Sequence, residues 1–275
     1  MSEKYQNRIA NMVICYANED EVISYAKQLA AQTYADAVTL IVTVNRLSNP
    51  DERYLYTELK KTGIKFDIVK PGRNLGYLNG LVYGYYKSEK CRDCGWLIFS
   101  NTDIEISDNA FMEKFLHSKT AKKDDIWMIG PDVYNPAGNH HVNPYMKNRP
   151  DMFFYLKKIA GMSFPRIYDL LYRMKKKKST GNAKKKSGYA YSVHGSFFFL
   201  RKELAGQLAN RKPWELLYDE EQYLAEICLK ENKKVYYDSS LNVNHLEGSS
   251  TGKVNLSKRY KIMKKSNLRI VREFY

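Results

Sequence analysis

The sequence predicts an α/β fold built on a mixed, mostly parallel sheet with helices on both faces. Three observations lead there. Apolar runs of strand length, rich in Val, Ile and Phe, alternate with segments whose apolar residues recur at helical spacing. Polar residues gather where the apolar runs end. The chain has 275 residues and 44% hydrophobic content, enough to bury one full core and too much for global disorder.

NMVICYAN (11–18) is the first buried strand. EDEVISYAKQLAAQ (19–32) follows as a helix, with Val22, Tyr25, Ala26, Leu29 and Ala30 on one face and acids at its start, where they meet the positive end of the helix dipole. AVTLIVTVN (37–45) is the second strand and IKFDIVK (64–70) the third. YLNGLVYGYYKS (77–88) is a helix despite two glycines, WLIFSN (96–101) the fourth strand, NAFMEKFLHSK (109–119) a helix and IWMIGP (126–131) the fifth strand. Repeated strand–helix units of this length produce a parallel sheet covered on both faces. Ligands in such sheets bind beyond the carboxyl ends of the strands. Asn18, Glu19, Asn45, Pro71, Asn74 and the corner Asn101-Thr102-Asp103 all fall there and are expected to line one crevice.

The net charge of +15 is unevenly spread. Residues 147–186 carry 13 Lys/Arg against two Asp, and 253–275 carry eight against one Glu, so the rest of the chain is mildly acidic. That division suits a protein held at an anionic membrane surface better than a uniform nucleic-acid binder. No apolar run reaches the ~20 residues of a membrane span. The polar N-terminus predicts no secretory leader and a cytoplasmic location. Cys91 and Cys94 form a CxxC with no second pair to complete a zinc site, and they read as a loop before a strand.

NLGYLNGLVYG (74–84), LIFSNTDIEIS (97–107), HGSFFFLRKE (194–203), LLYDEEQYLAEICLKENKKVYY (216–237) and VNHLEGSST (243–251) follow in order along the chain, and together they resemble the motifs of family 2 glycosyltransferases with the GT-A fold, of the bacterial cell-surface polysaccharide, rhamnosyltransferase-like type. NLGYLNGLVYG (74–84) resembles their N-x-G-x-x-x-G segment, and LIFSNTDIEIS (97–107) the strand that ends in a DxD-type metal-binding motif, written here Asn101-Thr102-Asp103. HGSFFFLRKE (194–203) resembles their acceptor-side strand, LLYDEEQYLAEICLKENKKVYY (216–237) their acidic helix and following strand, and VNHLEGSST (243–251) their V-x-H-x-x-G-x-S ending. The resemblance covers most of the chain outside roughly 140–190. It implies a nucleotide-sugar-binding half over 1–135 and an acceptor and catalytic half over 191–252, within a single domain.

Transfer from a nucleotide diphosphate expels a leaving group whose charge must be neutralised as it develops, and a divalent cation does this while orienting the diphosphate. Hard cations prefer oxygen ligands, so Asp103 at the strand end is the candidate metal ligand; the resemblance adds His245, and the ion is Mn²⁺ or Mg²⁺. Alone, Asp103 would read as a turn cap. The attacking hydroxyl must lose a proton to a positioned carboxylate. Glu220 and Glu221 open a helix; aligned on the family motif, Glu221 is the base and Glu220 its support, and a one-residue slip would bring in Asp219. The helix N-terminus is expected to keep both ionised. One base without an enzyme nucleophile implies inversion, as in the family. Asn18, Glu19 and Asn45, with Asn101 and Thr102, are nucleotide-sugar contacts, and Asn74 and Gly76 let the backbone approach the nucleotide. His194, Gly195 and Ser196 belong to the acceptor side, and Trp214 offers a face for a sugar ring or is a core aromatic.

Residues 147–190 interrupt the pattern. DMFFYLKKIAGMSFPRIYDLLYRMKKKK (151–178) is aromatic and basic, and Pro165 divides it into two short helices. It reads as an amphipathic element lying on an anionic membrane, with 253–275 as a basic C-terminal tail; the alternative is an insertion packed on the body with a solvated lysine loop. The whole predicts a metal-dependent, inverting glycosyltransferase that uses a UDP- or dTDP-linked sugar and a lipid-linked saccharide acceptor, at the inner face of the cell membrane. A catalytically inactive nucleotide-sugar-binding scaffold and a basic nucleic-acid binder are the competing classes.

Overall fold

The computed structural model describes residues 8–48, 52–178, 183–246 and 255–275. β1 (Ile9–Tyr16) leads into α1 (Glu19–Ala30), which buries Val22, Ile23, Tyr25, Ala26 and Leu29. β2 (Val38–Arg46), α2 (Glu52–Thr62), β3 (Lys65–Val69), α3 (Tyr77–Lys87) and β4 (Trp96–Ser100) complete the N-terminal half. β5 (Ile104–Glu105), α4 (Phe111–His117), β6 (Ile126–Asn135) and the short β7 (His140–His141) follow. The strands and helices anticipated up to residue 131 all form; α2 is an addition, and β6 runs four residues further than expected.

The sheet order is β3-β2-β1-β4-β9-β6-β10-β5, where β9 is Phe197–Arg201 and β10 is Lys234–His245. β3, β2, β1 and β4 are parallel. β9 enters antiparallel between β4 and β6, and β6 and β10 resume the original direction. β8 (Gly188–Ala190) and β7 flank this path, pairing with β10 and β6. Central strands bury both faces, which is why they read as continuous apolar runs. In β4, Trp96 and Ile98 enter one core layer while Leu97 and Phe99 enter the other. In β9, Phe197 and Phe199 are opposed to Phe198 and Leu200 in the same way.

The basic insertion forms α5 (Met152–Met162) and α6 (Pro165–Lys178), broken where Pro165 predicts. Asp151 caps α5 by accepting a hydrogen bond from Phe154 N, and Pro165 sits at the first position of α6, where a missing N–H costs nothing. After β9 come α7 (Lys202–Ala209) and α8 (Glu220–Lys230). The basic tail is a correction: 256–274 is a helix, α9 (Leu256–Phe274), which buries Tyr260, Ser266, Asn267 and Ile270. α9 packs against α5, α6 and α8. Tyr260 donates to Asp169 of α6 (2.9 Å), and Tyr275 donates to Pro150 O just before α5. The insertion is therefore docked on the body through α9. Residues 247–251 of the last sequence motif and 179–182 of the lysine loop lie outside the described residues.

Candidate active site

Strand pairing builds the first half of the site. After β4 the chain turns through Asn101–Asp103 and returns as β5 against the end of β10, with Ile104 opposite His245 and Glu105 opposite Asn244. Leu246 N donates to Asp103 O (3.0 Å) and Asn244 Nδ2 to Glu105 Oε2 (2.7 Å), which locks the corner. The Asp103 carboxylate thereby meets the His245 imidazole at 3.3 Å, with their side chains 12% and 13% exposed. Two residues far apart in the sequence thus meet at one point. Among the described residues no group of three or more His, Cys, Asp and Glu could hold a metal ion. Asp103 and His245 supply two donors of suitable type, and a small divalent cation between them would need its remaining ligands from elsewhere.

The expected nucleotide contacts stand at the carboxyl ends of β1 and β2, but several are already engaged with the protein. Asn18 Nδ2 donates to Thr102 Oγ1 (2.8 Å) and Glu21 Oε2 (3.0 Å), and Thr102 donates to the same Glu21 oxygen, so the end of β1 braces the Asn101–Asp103 corner. Glu19 is buried and accepts from Ser48 N and Ser48 Oγ, both at 2.6 Å, which fixes the loop after β2. Asn45 accepts from Leu75 N and donates to Gly76 O, while Asn74 accepts from Gly76 N. Gly76 has φ +81°, and a Cβ there would stand 2.3 Å from Leu216 O. The close approach that glycine permits at this position is to the 216 backbone. Asn101 N donates to Ser196 O (2.8 Å), tying the corner to the acceptor-side loop.

The second half is the N-terminus of α8. Glu220 and Glu221 follow two residues in the left-handed region, Tyr218 (φ 76°) and Asp219 (φ 61°). Burial pushes both glutamate carboxyls up, and this corrects the expectation that the helix dipole keeps them ionised. For Glu220 the Glu221 charge adds to the rise; for Glu221 the Asp219 charge adds and the Lys158 ammonium opposes it. The pair behaves as one unit that holds a proton well above the usual carboxylate range. A Cβ on Gly195 would lie 3.2 Å from Glu221 Oε2, so Gly195 leaves this carboxylate room. His194 Nδ1 accepts from Ser196 N and pairs with Ser196 Oγ (2.9 Å). Burial and the neighbouring His245 push His194 down to about 4, so it is neutral near pH 7 with its proton on Nε2. Its ring lies 5.8 Å from that of His245.

Tyr77 joins the halves. It is half-buried at the start of α3, donates to Gly195 O (2.9 Å), and has its pKa pushed well up by desolvation and by the charges of Glu220, Asp103 and Glu221. Asp103, His245, Glu221 and Gly195, linked through Tyr77, make one polar cluster at the carboxyl edge of the sheet.

No protein-family model and no functionally curated protein matches the sequence. Solved structures do match in fold. A mannosyltransferase from Pyrobaculum calidifontis, solved with GDP-Man and Mn²⁺, superposes with a TM-score of 0.57 at 9% identity, covering 97% of this chain and 64% of that one. GalNAc-T7 with UDP, GalNAc and Mn²⁺ gives 0.62 at 13% identity over 94% of this chain and 48% of that one. S. aureus TarS 1–349 with UDP-GlcNAc gives 0.59 at 12% over 96% and 66%. This is the GT-A fold. The chain spans about half to two thirds of the length of these structures.

In this GT-A chain Trp214 is not an open sugar platform. It is buried, stacked on Tyr223 (4.1 Å between centroids), with the Arg269 guanidinium 5.1 Å from its ring. Its indole N–H donates to Tyr218 O (3.2 Å), and Asn79 clamps its backbone at both N and O. Trp214 thus supports the turn before Glu220. Sequence reasoning missed Tyr77, Glu21 and Lys158. Tyr77 opens the helix after Gly76, and that position was its one available signal; Glu21 meets Thr102 and Lys158 meets Asp219 across long stretches of sequence.

Proposed function

We propose that the chain is an inverting glycosyltransferase that moves a hexosyl or deoxyhexosyl group from a UDP- or dTDP-linked donor to a lipid-linked saccharide acceptor in cell-surface polysaccharide assembly. The observation that carries this reading is the meeting of Asp103 and His245 at 3.3 Å, with Tyr77 placed where the charges of both Asp103 and the half-buried Glu221 reach it. GT-A relatives in fold bind nucleotide sugars with Mn²⁺, which supports the same donor class and a divalent ion here. Asp103 and His245 would hold the ion, which supplies Lewis-acid neutralisation of the departing diphosphate. Asn18 and Thr102 hold the corner that presents Asp103. Glu221 takes the proton of the attacking hydroxyl, and its raised pKa makes it a better base once deprotonated. Glu220 repels charge on Glu221 and, while protonated, leaves Glu221 to carry the negative charge. Neutral His194 offers its Nε2–H to an acceptor oxygen. A single base gives a single displacement and inversion.

The lipid-linked acceptor follows from α5 and α6. Phe153, Phe164, Ile167, Leu170 and Leu171 are 58–67% exposed, an apolar face flanked by Lys157 and Arg166. A second copy of the chain would set two segments of net +11 against each other, whereas an anionic bilayer complements both charge and apolar face. No helix among the described residues is long and apolar enough to cross a membrane. The proposed location is the cytoplasmic side of the cell membrane, bound peripherally. The test is transfer from a panel of nucleotide sugars to a lipid-linked acceptor with Mn²⁺: product with inverted anomeric configuration supports the reading. Donor binding without turnover, lipid-linked acceptor present, would instead make the chain a scaffold.

A further inference from the structure

The turn that presents the glutamates is held from outside its own helix. Asp219 is buried, and its carboxylate is gripped by two side chains from other elements: Lys158 Nζ of α5 on Oδ1 at 3.0 Å and Asn267 Nδ2 of α9 on Oδ2 at 2.8 Å. Lys158 and Asp219 side chains are 15% and 3% exposed, so this is not a solvent-screened surface pair. The grip acts where the backbone is least able to hold itself. Tyr218 and Asp219 are consecutive left-handed residues, and neither is glycine. The Arg259 guanidinium of α9 lies 5.6 Å from the Tyr218 ring, and Trp214 holds the Tyr218 carbonyl. Asn267 is itself anchored, donating to Met263 O as well. Such a strained turn persists only where the surroundings over-determine it, and every surrounding support named here but Trp214 comes from α5 or α9.

We propose that Lys158 and Asn267 are positioning residues, which clamp Asp219 and so hold the left-handed turn that aims Glu221 at the acceptor hydroxyl. The inference rests on the base role of Glu221. It gives the docked insertion a second role, because α5, which carries the exposed Phe153, also carries the ammonium that fixes the base turn. The charges facing Glu221 are Glu220 and Asp219 on its own turn and Lys158 from α5, with Tyr77 of α3 close by. Removing Lys158 therefore both loosens the turn and takes away the one cation that opposes the rise at Glu221.

The test compares wild type with Lys158→Met, Lys158→Arg and Asn267→Leu by two readouts. In transfer kinetics, Lys158→Met and Asn267→Leu should lower kcat by ~10–100-fold with donor KM unchanged, because a small misplacement of a reacting group is costly while donor contacts lie elsewhere. Lys158→Arg should recover most of the rate. In a ¹³C-carboxyl NMR titration of the glutamate-labelled protein, Lys158→Met should move Glu221 to higher pH and Lys158→Arg should restore it. A Glu221 titration and kcat that are unchanged in folded Lys158→Met protein, judged by near-UV circular dichroism, overturn the clamp. If the wild type transfers no sugar, the glycosyltransferase reading fails, and the titration still decides whether Lys158 governs the turn.

Discussion

A carboxylate 3.3 Å from an imidazole is either an ion pair or two ligands of one cation, and substitution separates the two. As ligands, Asp103→Ala abolishes Mn²⁺-dependent donor binding in calorimetry and leaves the fold intact; as a mere ion pair, it leaves that affinity unchanged. Glu221→Gln should keep donor affinity and reduce transfer by ~10²–10⁴-fold. If Glu220→Gln is the crippled variant instead, the base role moves by one residue. The raised glutamates also set a pH dependence. A base works deprotonated, so the acidic limb of kcat should lie above the ordinary carboxylate range of about 4 to 4.5. For stability the sign is opposite to that of a salt-bridged acid. A folded pKa above the unfolded one favours the protonated native state, so stability from this pair is present at low pH and lost as pH rises through the raised values. Thermal unfolding of Glu220→Gln should show a smaller loss of Tm between mildly acidic and alkaline pH than wild type does. An equal loss in both would mean the pair is not charged against its burial.

At the scale of elements, the sequence shows periodicity and stops, and both are local. β1 to β4, β6 and the break at Pro165 were legible for that reason. The antiparallel direction of β9 was not, because Phe197–Arg201 is apolar on both faces whichever way it runs. α9 reads as a tail because lysines and arginines dominate it, yet Tyr260, Asn267 and Ile270 lie on one helical face and two of its key partners, Asp169 and Asp219, are far away in sequence. Likewise Asn45, Asn74 and Trp214 look like ligand contacts in sequence and prove to hold the loops around Gly76 and Tyr218. Gly76 is the sharpest case. Gly76→Ala meets both a positive φ and backbone at 2.3 Å, so it should cost at least ~1–3 kcal/mol in denaturant unfolding and lower transfer by displacing Tyr77. A neutral outcome would mean the 76–216 contact is loose. On α6 and the turn just before it, Phe164→Ser with Ile167→Ser removes apolar area that the body does not cover. Co-sedimentation with anionic vesicles should fall, and transfer to a short soluble acceptor should persist. Equal binding to neutral and anionic vesicles would remove the membrane from the account.

Across the whole molecule, charge and chemistry are divided. The positive charge lies on α5, α6, the lysine stretch after them and α9, while the polar cluster of Asp103, His245 and Glu221 lies at the carboxyl edge of the sheet. α9 ties these regions together, since it touches both the insertion and Asp219. Salt should therefore weaken vesicle binding through screening over ~8–10 Å without weakening donor binding equally. The central claim is that this site binds a nucleotide-diphosphate sugar through a cation held by Asp103 and His245. A thermal-shift screen of UDP-, dTDP- and GDP-sugars with and without Mn²⁺ tests it most directly, because a ligand bound to the native state raises Tm by mass action. The account predicts that at least one donor raises Tm with Mn²⁺ and not without it, and that the shift vanishes in Asp103→Ala. A donor shift that is independent of the metal, or that survives in Asp103→Ala, would contradict it.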